Sequence, residues 1–312
     1  MRVQLFFVLA LSCLPRTASA YCLSTTKADF VPSEEKPCDA EGLPLFWNTR
    51  CVDMYVHRTA SSQVGLTTAR EVLAASLSVW EAVRCPPAGA ACPSTRETTP
   101  SIVAREAGPT ACEAGYEREG LNTNVLTFRD RDWGHDPSMI ALTTLSYRVA
   151  DGEILDGDIE INSDPETLKL SVGAARPDAY DLHSVITHEA GHFLGLAHTQ
   201  SANGQATMRP RYDPGDTSMR DLAADDVCGL CAAAPPTRTV ACTPPEARVC
   251  NGAATPAPPE EPVPPADEPG CAYGDHACSA ARGAAGGTSA VLMLAALLGR
   301  MARRHARRRS RP

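Results

Sequence analysis

The chain has 312 residues, 43% of them hydrophobic, with a formal net charge of −8. That is enough apolar content to bury a sizeable core, although the two ends stand apart from it. Seven arginines and no acid fall within 300–312, so the remainder carries 22 basic against 37 acidic residues, a balance that argues against a nucleic-acid partner.

Residues 1–20 read as an export signal. Arg2 precedes an apolar run from Leu5 to Leu11, and Ala18-Ser19-Ala20 offers a small-residue cleavage site before Tyr21. The run is too short to span a bilayer, and Ala10-Leu11-Ser12 is a poor approach to Cys13 for a lipid-modified cysteine. Export implies an oxidising compartment, where cysteines form disulfides. Setting aside Cys13, Cys271 and Cys278 leaves ten of the thirteen, enough for five bridges of open connectivity. Cys228-Gly-Leu-Cys231 has no second pair and reads as bridge cysteines in preference to a metal knuckle.

Residues 21–42 are polar and interrupted by proline, a strap more than a domain. Leu45-Phe46-Trp47 followed by Val52 to Val56 alternates as a half-buried strand does. Thr68 and Glu71 have capping-box spacing, and a helix to about Val83 would place Val72, Leu73, Ser76, Val79, Trp80 and Val83 on one face. Residues 85–121, rich in Cys, Pro, Gly and Thr, read as a disulfide-stapled excursion. Asn124 to Phe128 and Ile140 to Val149 read as strands, with a loop at 130–137 between them. In Ile154 to Asn162, alternation sets Leu155, Ile159 and Ile161 against Asp156, Asp158 and Glu160. An acidic face of that kind is ordinarily solvated, while Asp151, Asp156 and Asp158 also offer oxygens of the type calcium takes.

Asp181 is placed to cap the next helix, whose Val185 and Ile186 enter the core ahead of His188-Glu189-Ala190-Gly191-His192. On a helix His188 and His192 stand one turn apart on the same face, with Glu189 beside them. Gly195 can then take a left-handed conformation that ends the helix and returns His198. Three imidazoles suit one zinc ion and leave a position for water, the hallmark of a catalytic site. Glu189 is placed as general base and acid for hydrolysis. The competing reading is a core helix with satisfied histidines, but three histidines and a glutamate on one polar edge are costly to bury without a metal.

This extended motif, followed by Ala206-Thr207-Met208-Arg209-Pro210-Arg211-Tyr212, resembles the matrixin-like metzincin zinc proteases. The resemblance implies an α+β fold over residues 43–232. It comprises a twisted, mostly parallel sheet with an antiparallel edge strand, an active-site helix, and a small lower subdomain with a Met-turn and a C-terminal helix. It implies Met208 as the hydrophobic base under the ligands, Pro210 and Tyr212 as walls of the substrate pocket, and Ile140 to Val149 as the edge strand above the cleft. Asp225-Asp226 resembles the aspartates that anchor the last helix to the Met-turn and the N-terminus. Lys36-Pro37-Cys38-Asp39 lacks the residues that surround a latency cysteine, so Cys38 reads as an ordinary disulfide. His135 and Asp136 stand without the rest of a second zinc site, and none is expected. Arg209 departs from the family's usual Tyr, which bears on the pocket. An adhesin-like surface protein that keeps zinc only for stability is the alternative class.

Eleven of the 26 prolines lie between Pro235 and Pro269, so 233–270 reads as a stiff linker, with Cys242 and Cys250 tying a small loop inside it. In 271–312, Gly270-Cys271 is followed by the uncharged Gly283 to Gly299 and the arginine cluster. This order resembles myxobacterial sorting tails, and a plain membrane anchor is the other reading. Together these features predict an exported monomer that hydrolyses protein or peptide substrates with one zinc, attached to membrane or cell envelope through its tail.

Overall fold

A computed structural model of the chain describes residues 21–27, 30, 33, 36–86, 92, 102–118, 120, 122–199, 206–233 and 242. The export signal 1–20, the tail 271–312 and all of the linker 233–270 but residues 233 and 242 lie outside the described residues. Among the described residues no helix is long and apolar enough to cross a membrane.

The chain runs β1 (Cys22–Leu23), β2 (Phe46–Trp47), β3 (Cys51–His57), α1 (Leu66–Glu81), β4 (Val103–Thr110), β5 (Val125–Arg129), β6 (Ala141–Tyr147) and β7 (Glu153–Asn162). There follow β8 (Leu170–Ser171), β9 (Tyr180–Asp181), α2 (Leu182–Phe193), β10 (Leu196–Ala197) and α3 (Ala224–Ala233). The main sheet runs β4-β3-β5-β7 with all pairs parallel; β2 joins the start of β7 in parallel and β6 pairs with β7 antiparallel. The described part is thus α+β with a mostly parallel sheet and an antiparallel strand at its edge.

The core lies between this sheet and the helices α1 and α2. Burial, more than capping, starts α1: Gly65 is its N-cap without a side-chain bond, and Leu66 packs on the core. Thr68 and Glu71 therefore fall inside the helix and form no capping box. The buried face is Ala69, Val72, Leu73, Ser76, Leu77 and Trp80. Leu77 stands where the sequence placed Val79, and burial of Leu73 and Leu77 contributes about 1.5–3 kcal/mol each. Two tryptophans tie the layers together by donating to α2 carbonyls: Trp80 Nε1 to Thr187 O at 2.9 Å and Trp47 Nε1 to Phe193 O at 2.7 Å. Phe193 crosses so close to β7 that a Cβ on Gly157 would lie 2.8 Å from its ring.

Three expectations change here. Residues 85–121 contain a full strand, β4, which escapes notice because Gly108 and Pro109 interrupt it. At the edge of a sheet a missing N–H is tolerated, and the register shifts at Met54/Val56 where Pro109 pairs. Cys242 bonds to Cys51, not to a neighbour in the linker. Asp156 and Asp158 are buried, 2% and 3% exposed, with Gly115 bonded to Asp158, instead of facing solvent.

The remaining disulfides are Cys22–Cys38, Cys85–Cys231 and Cys92–Cys228, and Cys112 is disulfide-bonded as well. Two of them clamp α3 to the chain after α1, so each half of Cys228-Gly-Leu-Cys231 belongs to a separate bridge. The N-terminal strap also has a defined place: β1 pairs antiparallel with β10, next to His198.

Candidate metal centre

Asp181 caps α2, its carboxylate accepting Ser184 N–H at 2.9 Å while Arg220 pairs with it from the other side. Burial raises the Asp181 proton affinity, but these bonds outweigh it and hold the carboxyl below its usual range. From that fixed start, α2 carries His188 and His192 on one face. Leu194 is the C-cap and Gly195 follows at φ +96°, where a Cβ would stand 2.8 Å from Leu45 O. The turn needs glycine on both counts. It delivers β10 and His198.

His188, His192 and His198 each bring a ligand atom to within 4.8 Å of the others, the one such group of three among the described residues. His188 Nδ1 faces Thr207 O at 2.6 Å and His192 Nδ1 faces Leu196 O at 2.8 Å. A carbonyl demands a donor, so both Nδ1 atoms carry hydrogen and both Nε2 lone pairs are left for a metal. The 3.2 Å approach of His188 Nε2 to His198 Nε2 is then two ligand atoms converging on one point. Burial depresses all three histidines, His188 to about 4, His192 to about 3 and His198 well below the usual value. Neutral imidazoles are the form that binds metal, and a donor set of three fits zinc with an open position. The His198 ring is half-buried, while His188 and His192 are 6% exposed.

Glu189 is 7% exposed, and burial pushes its carboxyl up to about 7 against the pull of hydrogen bonds from Thr143. Thr143 Oγ1 lies 2.6 Å from Glu189 Oε2. Met208, 2% exposed, packs against α2 at Gly191, where an added Cβ would collide with its sulfur. Asp226 fixes the turn that carries Met208, accepting Thr207 N–H at 2.8 Å and Met208 N–H at 2.9 Å. Asp225 accepts from Thr199 and from the Tyr21 backbone. Pro210 is half-buried. Tyr212 stacks edge-on against Tyr180 at 5.7 Å, and its buried hydroxyl has no hydrogen-bond partner. Burial, then the nearby Glu189 charge, raises that phenol well above its usual value. Arg209 is occupied by Asp216, Ser218 and two carbonyls.

Residues 127–232 match the matrixin family. The matrixin match begins in β5 and ends in α3, so it includes every residue of the site, whereas β2, β3, α1 and β4 precede it. Matrix metalloproteinase-27 of Tupaia belangeri is 31% identical over 114 residues, 36% of this chain and 21% of that protein. The human protein of the same name is 30% identical over the same shares. Metalloendoproteinase 1-MMP of Arabidopsis thaliana is 48% identical over 54 residues, 17% of this chain and 14% of that protein. The chain thus spans about a fifth or less of the length of the curated relatives it matches.

The sequence singled out the three histidines, Glu189 and Met208, and these come together. The three candidate calcium aspartates do not. Asp151 is exposed and ion-paired with Arg148. Asp156 donates a hydrogen bond to Asp158, which also accepts the N–H groups of Gly115 at 2.6 Å and Val125 at 2.8 Å. Burial first, then the Asp158 charge, pushes Asp156 up to about 8, and its Oδ1 has no partner. Thr143, Thr207 O and Leu196 O escape sequence reading because a lone threonine and two backbone carbonyls carry no motif.

Proposed function

We propose that the chain is an exported zinc-dependent endopeptidase acting on protein or peptide substrates. The observation that carries this reading is the convergence of His188, His192 and His198 on one point, with the buried carboxylate of Glu189 beside them and tied to β6. The matrixin match over the same residues supports it.

His188, His192 and His198 would hold the metal, with Met208 packed beneath. Zinc, when bound, supplies a Lewis acid for the scissile carbonyl and lowers the pKa of water from about 15.7 to roughly 7. Among the described residues β6 pairs only with β7, so its outer edge can take a substrate backbone as one more strand. Such binding reads main chain more than side chain, as an endopeptidase requires. Glu189, desolvated and with a raised proton affinity, accepts the proton of the attacking water and returns it to the leaving amine. Pro210 and Tyr212 form walls for the substrate side chain after the scissile bond. The disulfides support an oxidising compartment outside the cytoplasm, while attachment through 271–312 and a monomeric state rest on the sequence alone.

The test is cleavage of a mixture of denatured proteins by the full chain and by Glu189→Ala, with zinc measured in both. Glu189→Ala should keep zinc and lose at least about 100-fold in rate. Zinc bound without cleavage by either protein would overturn the hydrolytic reading in favour of a zinc-stabilised surface protein.

A further inference from the structure

Thr143 lies on β6 and Glu189 on α2, 46 residues apart in sequence. The Thr143 hydroxyl reaches Glu189 Oε2 at 2.6 Å and the Glu189 backbone carbonyl at 3.1 Å. A hydroxyl has one proton to give, and the shorter contact is the carboxylate. The Thr143 backbone also lowers the proton affinity of the same carboxylate. The last torsion of a glutamate side chain is broad and weakly restrained, so an untethered carboxylate would sample many orientations. The hydroxyl bond restricts that freedom. It engages Oε2 and leaves Oε1 to handle a proton.

From this geometry we infer that Thr143 is a positioning residue for Glu189. It fixes the orientation of the base relative to the strand along which substrate is proposed to lie. The inference rests on the proposed hydrolytic function and adds a specific coupling to it. The element that holds the peptide backbone also holds the carboxylate that moves the proton, so distances between the two are set within one strand.

A structural alternative is that Thr143 only satisfies a buried carboxylate, which would be costly to leave unpaired. Two substitutions separate the roles. Thr143→Val keeps the β-branched shape and the strand preference but lacks the hydroxyl, whereas Thr143→Ser keeps the hydroxyl. On zinc-loaded full-length protein, Thr143→Val should lower kcat about 10–100-fold, as loss of one charge-assisted hydrogen bond would, with KM changed by less than about threefold. Thr143→Ser should restore kcat to within about threefold of the parent. The infrared band of the Glu189 carboxylate, assigned by difference against Glu189→Gln, should move in Thr143→Val and stay in place in Thr143→Ser. Equal kcat in Thr143→Val and parent, an effect confined to KM, loss of zinc from Thr143→Val, or failure of Thr143→Ser to rescue would each overturn the inference. A parent chain that binds zinc and cleaves nothing would remove the hydrolytic reading together with the inference, whereas an active parent with an equally active Thr143→Val removes the inference alone.

Discussion

Asp226 holds the backbone N–H groups of Thr207 and Met208 on its two carboxylate oxygens and is itself 1% exposed. The Thr207 carbonyl in turn fixes His188 Nδ1, so α3 orients the ring whose Nε2 faces the metal through one residue of the turn. Asp226→Asn turns one acceptor into a donor that faces an N–H. The expected cost is about 2–3 kcal/mol of stability, read as a lower urea midpoint, and about 10–100-fold weaker zinc binding, read by competition with a chelator.

Gly195 joins a φ of +96° to a close approach of the Leu45 carbonyl. An alanine there meets both the left-handed backbone penalty and a steric one. Gly195→Ala is expected to lose at least about 1–2 kcal/mol in thermal unfolding and to weaken zinc binding, because the turn sets the position of His198. If its melting temperature matches the parent's, the turn is less constrained than described.

The buried Asp156–Asp158 pair gives a pH dependence of definite sign. In the unfolded chain Asp156 loses its proton near 3.9, while in the folded protein it keeps that proton up to about 8. Between those values the unfolded state binds fewer protons, so this group's contribution to stability falls as pH rises from about 4 to about 8. Asp156→Asn keeps a donor toward Asp158 and cannot ionise. Its melting temperature should equal the parent's near pH 4 and exceed it near pH 8. A constant difference across that range would show that the pair does not share a proton in this way.

Cys85–Cys231 closes 146 residues and holds α3, the helix that carries Asp226. Replacing both cysteines with serine should cost about 2–5 kcal/mol. Because α3 supports the Met208 turn, zinc affinity should fall together with the melting temperature. A destabilised variant with unchanged zinc affinity would show that the bridge and the site are independent.

Much of the site was legible because its ligands are close in sequence. Helical spacing places His188, Glu189 and His192, and one glycine returns His198, so local geometry suffices. The sheet was legible where an apolar run or a clean alternation marked it, as in β5 and β7 respectively. β4 was hidden because an edge strand tolerates Gly108 and Pro109, which in sequence look like a loop. The acidic residues of β7 misled for a different reason. Alternation shows that Asp156 and Asp158 share a face, but only the chain crossing above reveals whether that face meets water. The supports of the site from Thr143, the Thr207 carbonyl and the Trp47 and Trp80 indoles act across the fold, and no local pattern announces them.

The pairing of β1 with β10 has a consequence for the order of assembly. Ser24 bonds to Leu196 across 172 residues of chain, and this contact borders the turn that presents His198. Contacts of such long sequence separation close late, because the loop entropy must be met before they stabilise anything. His188 and His192 are aligned as soon as α2 forms, whereas the third imidazole depends on the first segment of the strap finding nearly the last segment of the site. In a refolding time course, high-affinity zinc uptake is expected to track this final closure and not helix formation, so that the chain completes its own metal site only when the rest of the domain is already in place.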